Sequence, residues 1–333
     1  MKAIVLVAVF ATLRFLLLTP LHAQLLKEMH PSGFARITIN VIHEDSSPVV
    51  EAKVGVGFNQ TQNYWRDGHK FATKEIVTDA NGIAIASGET TTGWITYGAS
   101  KDGYYRTFGE ELFLKRKGDR YEPWNLKKQL ILKPILNPIP LYARKVQMLR
   151  IPVTGQPVGY DLIASDWIVP QGKGSVSDLT FTLQRKFEHV NKPFEASLMI
   201  TFANDGDGIQ PTIASPRHGS ELRLPHYAPE GGYDAKLIKS TSRPAVDQMI
   251  IPASKDTLNY FFRVRTRKDG ERMISAYYGK IDGDIDFDII NSDTALLFFT
   301  YYLNPNPNDR NMEFDPKRNL FRDLSWNERV TAP

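Results

Sequence analysis

The chain has 333 residues, 42% hydrophobic and 23% charged, a globular composition long enough for two domains. It contains no cysteine, which excludes disulfide staples, thiolate zinc sites, a cysteine nucleophile and a lipidated cysteine. The formal charge is +4, and removing Lys2 and Arg14, the charged residues of an acid-free start, leaves +2, too balanced to imply nucleic acid or an anionic membrane as partner.

In chain order, Lys2 precedes an apolar run from Ala3 to Leu18, interrupted by Thr12 and Arg14, with Pro20 before the small residue Ala23. This reads as a signal peptide over residues 1–23, cut after Ala23. Arg14 departs from that pattern and leaves a retained anchor as the alternative. No second long apolar run follows, so no membrane span is expected beyond it. The protein is therefore expected to be exported to a periplasm, a cell surface or the medium.

Strand-like alternation begins after the signal. "ARITINVIHED" alternates through Ile37, Ile39 and Val41, and "PVVEAKVGVGF" through Val50, Ala52, Val54, Val56 and Phe58. "KEIVTDANGIAIAS" predicts a hairpin whose arms join through Asn81-Gly82, where positive φ is cheap. "GWITYGASKDGYY" and "KKQLILKP" supply later strands, and "TFGEELFLKRK" could form a short helical turn. Short strands with frequent turns predict a sandwich.

The order "SPVVEAKVGVGF", "VTDANGIAIASG", "YGASKDGYY", "LILKP" resembles the carboxypeptidase regulatory-like, or transthyretin-like, β-sandwich. In that family a proline-led strand is followed by a T-D-x-x-G-x-A hairpin and a K-x-G-Y strand. The resemblance covers about Phe34 to Pro134 and defines a first domain over 32–134. "NQTQNYWRDGHK" is longer and more aromatic than the family's hairpin loop. What the resemblance implies is a non-catalytic accessory, adhesive or spacing module, with no active site to carry over.

Pro134, Pro138 and Pro140 then forbid a helix and predict a stiff linker over 135–144. A second antiparallel β domain is expected over 145–333. Its clearest strands are "DLTFTLQRKFE", "EASLMITFAN", "NYFFRVRTR", "RMISAYYGK" and "TALLFFTYYL". A two-residue turn at Asp269-Gly270 would set Lys268 opposite Glu271 and Arg265 opposite Ile274, with Arg263, Arg265 and Arg267 on one face and Phe262, Val264 and Thr266 on the other. Two further stretches, "GYDLIASDWIVPQGKGSVSDL" and "FTYYLNPNPNDRNMEFDPKRNLF", resemble C-terminal regions of uncharacterised exported bacterial proteins. The fold class expected is all-β, two antiparallel sandwich-type domains in tandem.

"GKIDGDIDFDI" places Asp282, Asp284, Asp286 and Asp288 at every second position. As a calcium loop it lacks the glycine at position 6, where Phe287 stands, and Asp293 would replace the bidentate Glu at 12. As a strand it turns Ile281, Ile285, Phe287 and Ile289 inward and all four aspartates to water. The strand reading fits better. Asp205 and Asp207 in "NDGDGIQP" read as a turn rather than a cation loop.

The histidines after Ala23, at 30, 43, 69, 189, 218 and 226, show no H-x-H or H-E-x-x-H spacing, and His218 and His226 read as exposed loop residues. No G-x-S-x-G elbow occurs, and "GKGS" at Gly172 lacks phosphate-loop spacing. No metal or other cofactor is expected. Tyr64 and Trp65, among amides and Arg66, are the candidate binding residues, able to stack on sugar rings or anchor a protein; the competing reading folds Trp65 back into the sandwich end. Trp124 and Trp167 read as core. Asn59-Gln60-Thr61 matches a glycosylation sequon. The leading expectation is a non-enzymatic surface or periplasmic protein that binds or spaces a protein or glycan partner. The rival is a carbohydrate-active hydrolase with its site in the second domain and an accessory first domain, and a weaker third is a cation-stabilised adhesive module.

Overall fold

The computed structural model describes residues 32–61, 66, 68–214 and 218–333. The expected signal peptide, and with it His30, lies outside the described residues, as do Tyr64 and Trp65. The chain divides into two compact units, one of residues up to Pro134 together with His218–Ser220, the other of Ile135–Arg217 and Glu221–Pro333. Both are built from strands, so the all-β, sandwich-type class holds. Among the described residues no helix is long and apolar enough to cross a membrane.

The strands of the first unit are β1 (Gly33–Ile42), β2 (Lys53–Asn59), β3 (Phe71–Val77), β4 (Ile83–Thr90), β5 (Trp94–Ser100), β6 (Thr107–Leu112), β7 (Lys115–Lys117), β8 (Arg120–Glu122) and β9 (Leu126–Ile131). One sheet runs β4-β1-β8-β7 with β9 also on β1; the other runs β6-β5-β2-β3, extended at β6 by Gly219–Ser220. The period-two pattern works within the strands: Ala35, Ile37, Ile39 and Val41 from β1 and Val54, Val56 and Phe58 from β2 are buried in one core, but Val50, read as inward, precedes β2 and is exposed while Val49 is buried. Two pairings depart from the antiparallel expectation: β8 lies parallel to β1 at Phe34 opposite Arg120, and β9 lies parallel to β1 from Ile37 opposite Leu126 to Ile42 opposite Ile131.

The expected hairpin at Asn81-Gly82 is a crossover instead. β3 pairs with β2 in one sheet, whereas β4 pairs with β1 in the other. Local turn chemistry is as expected, with the Asp79 carboxylate accepting from the Asn81 and Ile83 amides at 2.9 Å and Gly82 at φ +73°. What redirects the chain is Thr78, whose hydroxyl donates to the Val49 carbonyl at 2.7 Å and accepts from the Ala52 amide at 2.9 Å. The stretch read as a short helical turn is strand β6, paired with β5 from Ala99 opposite Thr107 to Trp94 opposite Leu112.

In the second unit the strands are β10 (Tyr142–Arg150), β11 (Pro157–Asp161), β12 (Asp166–Trp167), β13 (Leu179–Lys186), β14 (Phe194–Thr201), β15 (Gly208–Ile213), β17 (Lys236–Arg243), β18 (Leu258–Asp269), β19 (Arg272–Ile281), β20 (Asp286–Asp288) and β21 (Leu296–Leu303), the label β16 belonging to Gly219–Ser220. Sheet β10-β21-β19-β18-β15, with β20 on β21, faces sheet β12-β11-β13-β14-β17 across one core. The first sheet is covered on its outer side too. Leu224, Ala228 and Met312 pack on Phe261, Ala276 and Tyr278, while Phe314 and Val330 pack on Tyr302, Leu141 and Ala143. Double coverage explains the continuous apolar runs "NYFF" and "FFTYYL". The proline-rich stretch is pinned to this unit, with the Leu136 and Asn137 amides donating to the Glu313 carboxylate at 2.9 and 2.6 Å.

The arginine face predicted for β18 does not form. Asp269 stands opposite Arg272, so the turn residues are Gly270 and Glu271, and bulges shift the register between Val264 and Lys268. At the first bulge Arg265 and Thr266 together oppose the single residue Ala276, Arg265 adopting φ +55°. The bulge turns Arg265 to the facing sheet, where it meets Asp178 and Asp161. Arg263 instead donates to the Gly206 carbonyl and lies over Tyr233, and Arg267 is exposed.

Candidate functional site

The aspartate ladder separates into four environments. Ile281, Ile285, Phe287 and Ile289 are buried as expected. Gly283, at φ +87°, breaks the strand between β19 and β20, and the aspartates do not form one wet face. Asp282 pairs with Arg223 at 2.7 Å. Asp284 is buried and takes hydrogen bonds from Lys239 Nζ at 2.6 Å, the Tyr260 hydroxyl at 2.6 Å and the Lys255 amide at 2.7 Å. Burial pushes the Asp286 carboxyl up, and Asp288 caps the Ile290 amide at 2.7 Å. The solvated-face reading is therefore wrong for Asp284: alternation assigns sides of a strand and is blind to what covers each side. Asp205 and Asp207 frame a turn, Asp207 accepting from the Thr266 amide at 2.8 Å. Among the described residues, no three histidine or carboxylate side chains gather as a metal-holding group.

The Asp161–Asp178–Arg265 cluster of the second unit is structural in its bonding. Asp161 accepts from the Ile163, Ala164, Ser175 and Val176 amides at 2.9–3.1 Å, which explains the run "GYDLIASDWIVPQGKGSVSDL" as a loop wrapped on one carboxylate. Asp178 accepts from the Leu162 amide at 2.9 Å and from Arg265. His226 is buried, against the expectation of an exposed loop, because the covering tract packs on the sheet. Trp167 is core, but Trp124 is only half-buried, with the Arg120 guanidinium 4.9 Å from its ring.

A cavity that combines aromatic and polar groups lies in the first unit and has a volume of about 860 Å³. Trp94, at the start of β5, forms its wall. His69 meets the indole edge-on at 4.7 Å and Phe71 at 5.1 Å. Gly57 makes this cluster feasible, since a Cβ there would stand 2.7 Å from Thr96 Oγ1 and 3.3 Å from Phe71 Cδ1. The Phe71 ring crosses the bare strand to reach Trp94. Trp94 Nε1 donates to Glu110 Oε2 at 3.2 Å, and His218 Nε2 lies 3.5 Å from Glu110 Oε1.

Glu111, the next residue of β6, points to the other side of its sheet and pairs with Lys128 of β9 at 2.6 Å. That hydrogen bond raises the Lys128 pKa, so the ammonium stays charged. Tyr97, buried beneath, has its phenol pushed up by burial and stays protonated. Asn59 and Thr61 close one end. Asn59 itself is buried at 1% exposure, its Oδ1 accepting from the Thr61 amide at 2.9 Å, so the sequon asparagine is not presented to solvent.

Both carboxylates are engaged, Glu110 with an indole and an imidazole and Glu111 with an ammonium, which fixes polar groups at the cavity. An aromatic wall beside fixed polar groups fits a ring with one apolar face and a hydroxylated edge. Sequence reasoning missed Trp94, His69, Glu110, Glu111, Lys128 and His218 as a group. The available signal was the second glycine of "KVGVGF", Gly57, which marks a close approach within a strand.

No family model and no curated protein matches the chain. Among solved structures it is similar to catechol 1,2-dioxygenase of Acinetobacter radioresistens, at 15% identity and a TM-score of 0.24, over 33% of this chain and 55% of that one. The chain thus spans about half the length of that dioxygenase. It is also similar to a shaft pilin of Lactobacillus rhamnosus GG (10% identity, TM-score 0.23, 74% of this chain and 92% of that one). A DUF3823 family protein of Parabacteroides merdae is similar at 8% identity and a TM-score of 0.19, over 80% and 96%. At these TM-scores none of the likenesses bears on function.

Proposed function

We propose that the protein is an exported, non-enzymatic binding protein whose first unit, a transthyretin-like sandwich of the carboxypeptidase regulatory-like type, holds a glycan ring in the Trp94 cavity. The carrying observation is Trp94, backed by Phe71, with His69 and Glu110 in a cavity of about 860 Å³. The Thr78–Asp79 turn chemistry and Gly82 support the family assignment. Tyr64 and Trp65 remain proposed ligand contacts on sequence grounds, because their chain neighbours Thr61 and His69 line the cavity.

The test is calorimetric titration of the full chain with a panel of oligosaccharides, alongside Trp94→Ala and Glu110→Gln. Saturable binding abolished by Trp94→Ala and weakened roughly tenfold by Glu110→Gln supports the reading. Failure of every oligosaccharide to bind, or unchanged affinity in Trp94→Ala, refutes it. Release of new reducing ends from the same panel would install the hydrolase reading in its place.

A further inference from the structure

The second unit holds a cavity of about 450 Å³ walled by the segment from Pro316 to Thr331. Its floor is apolar. Leu324 and Val330 are buried, and the Phe321 ring is set edge-on to Tyr142 at 5.1 Å and Tyr301 at 6.3 Å. Lys317, Arg322 and Arg329 line the cavity, and no carboxylate does.

Several guanidinium groups of this unit are matched with acids, Arg144 with Glu328, Arg223 with Asp282, Arg265 with Asp178, Arg310 with Glu230 and Arg318 with Asp315, while Arg185, Arg243 and Arg263 donate to backbone carbonyls. The three cations that line the cavity have neither an acid partner nor a full set of carbonyls among the described residues. Among the described residues the side chains of Lys317 and Arg322 make no ion pair or hydrogen bond, and Arg329 uses only Nε, which donates to the Leu324 carbonyl at 3.0 Å. The nearby acids are engaged or turned away. Asp315 is bound by Arg318, Glu328 by Arg144 and Ser325, and exposed Asp323 does not line the cavity. Three like charges at one concavity repel each other, and a polyvalent anion entering it would relieve that repulsion. The planar fork of arginine matches phosphate and sulfate oxygens. The Phe321 floor offers an apolar surface to the body that carries them.

We infer that this cavity of the second unit binds a phosphate or sulfate ester, its oxyanion held by Lys317, Arg322 and Arg329 and its organic body lying on Phe321. The inference is independent of the glycan site, which belongs to the other unit.

The test is calorimetry on the full chain with inorganic phosphate, phenyl phosphate and phenyl sulfate at fixed ionic strength. Phenyl phosphate is expected to bind saturably at one site and tighter than inorganic phosphate, because only the ester reaches the aromatic floor. Phenyl sulfate competing at the same site supports the shared oxyanion chemistry, and the ratio of the two affinities separates the phosphate and sulfate sources. Arg322→Gln should weaken phenyl phosphate roughly tenfold with an unchanged melting temperature, since the Arg322 side chain makes no bond among the described residues, and Lys317→Gln should act in the same direction. Lys236→Gln, an exposed charge on β17 outside the cavity, should change nothing. Absence of saturable binding overturns the inference, as does equal weakening by Lys236→Gln or unchanged affinity in an Arg322→Gln, Lys317→Gln double variant.

Discussion

Arg265 and Asp178 are joined by two hydrogen bonds, from Nε to Oδ1 at 2.7 Å and from a terminal guanidinium nitrogen to Oδ2 at 2.8 Å, across the two sheets of the second unit. Asp161 adds a third contact to the same guanidinium at 3.1 Å. The pair exists because a bulge holds Arg265 at φ +55°, a conformation a β-strand does not otherwise offer. The Asp178 side chain is fully buried.

Removing one partner should therefore cost far more than removing both. Asp178→Ala leaves a partly buried guanidinium short of its main acceptor and should destabilise the second unit by about 3–5 kcal/mol. An Arg265→Met, Asp178→Leu double variant should recover most of that loss. Guanidinium unfolding midpoints of the three proteins, taken with a common slope, check the ordering.

Gly82 and Gly103 form a matched pair of left-handed glycines in the first unit, at φ +73° and +82°. A Cβ on Gly82 would stand 2.4 Å from the Val41 carbonyl oxygen, whereas one on Gly103 meets nothing within 4 Å. Gly103→Ala should cost only the conformational penalty of about 1–2 kcal/mol. Gly82→Ala adds a backbone collision and should cost clearly more, seen as the larger drop in melting temperature. Equal drops would mean that the turn at Gly82 relaxes freely.

The edge-on contact of His69 with Trp94, at 4.7 Å, orients the cavity wall from an exposed position. His69→Ala should weaken oligosaccharide binding by roughly two- to tenfold, the worth of one aromatic pair, while thermal unfolding stays close to that of the parent. A fall in stability without a change in affinity would place His69 outside the ligand site.

Glu328 sets an acid-side dependence. The Ser325 hydroxyl bond chiefly holds its carboxyl below the usual glutamate range, burial opposes this, and Arg144 adds to the lowering. A carboxylate depressed in the folded state stabilises above its unfolded pKa, and that contribution is lost as pH falls through the folded value. Glu328→Gln should therefore be less stable than the parent at pH 7, by about 1 kcal/mol. The gap should close on acidification below pH 4.5. Urea midpoints at neutral and acid pH read this directly.

Much of the architecture was legible in single stretches. The alternation of Ile37, Ile39 and Val41 gave a strand with a buried side, the Asp79–Gly82 chemistry gave a turn, and the odd-numbered partners of the aspartate run gave the inward face at Ile285, Phe287 and Ile289. These features are properties of adjacent residues, since strand periodicity and turn dihedrals are set within a few bonds. Tertiary structure alone decided that the Asp79–Gly82 turn crosses between sheets, that Arg265 leaves its stripe for Asp178, and that Asp284 is sealed against Lys239 and Tyr260. It also decided that Trp94, Glu110 and His218 meet. Each of these depends on which remote strands pair, in which register and under what cover, and the free energy that selects those pairings comes from burial summed over the whole unit rather than from any local motif.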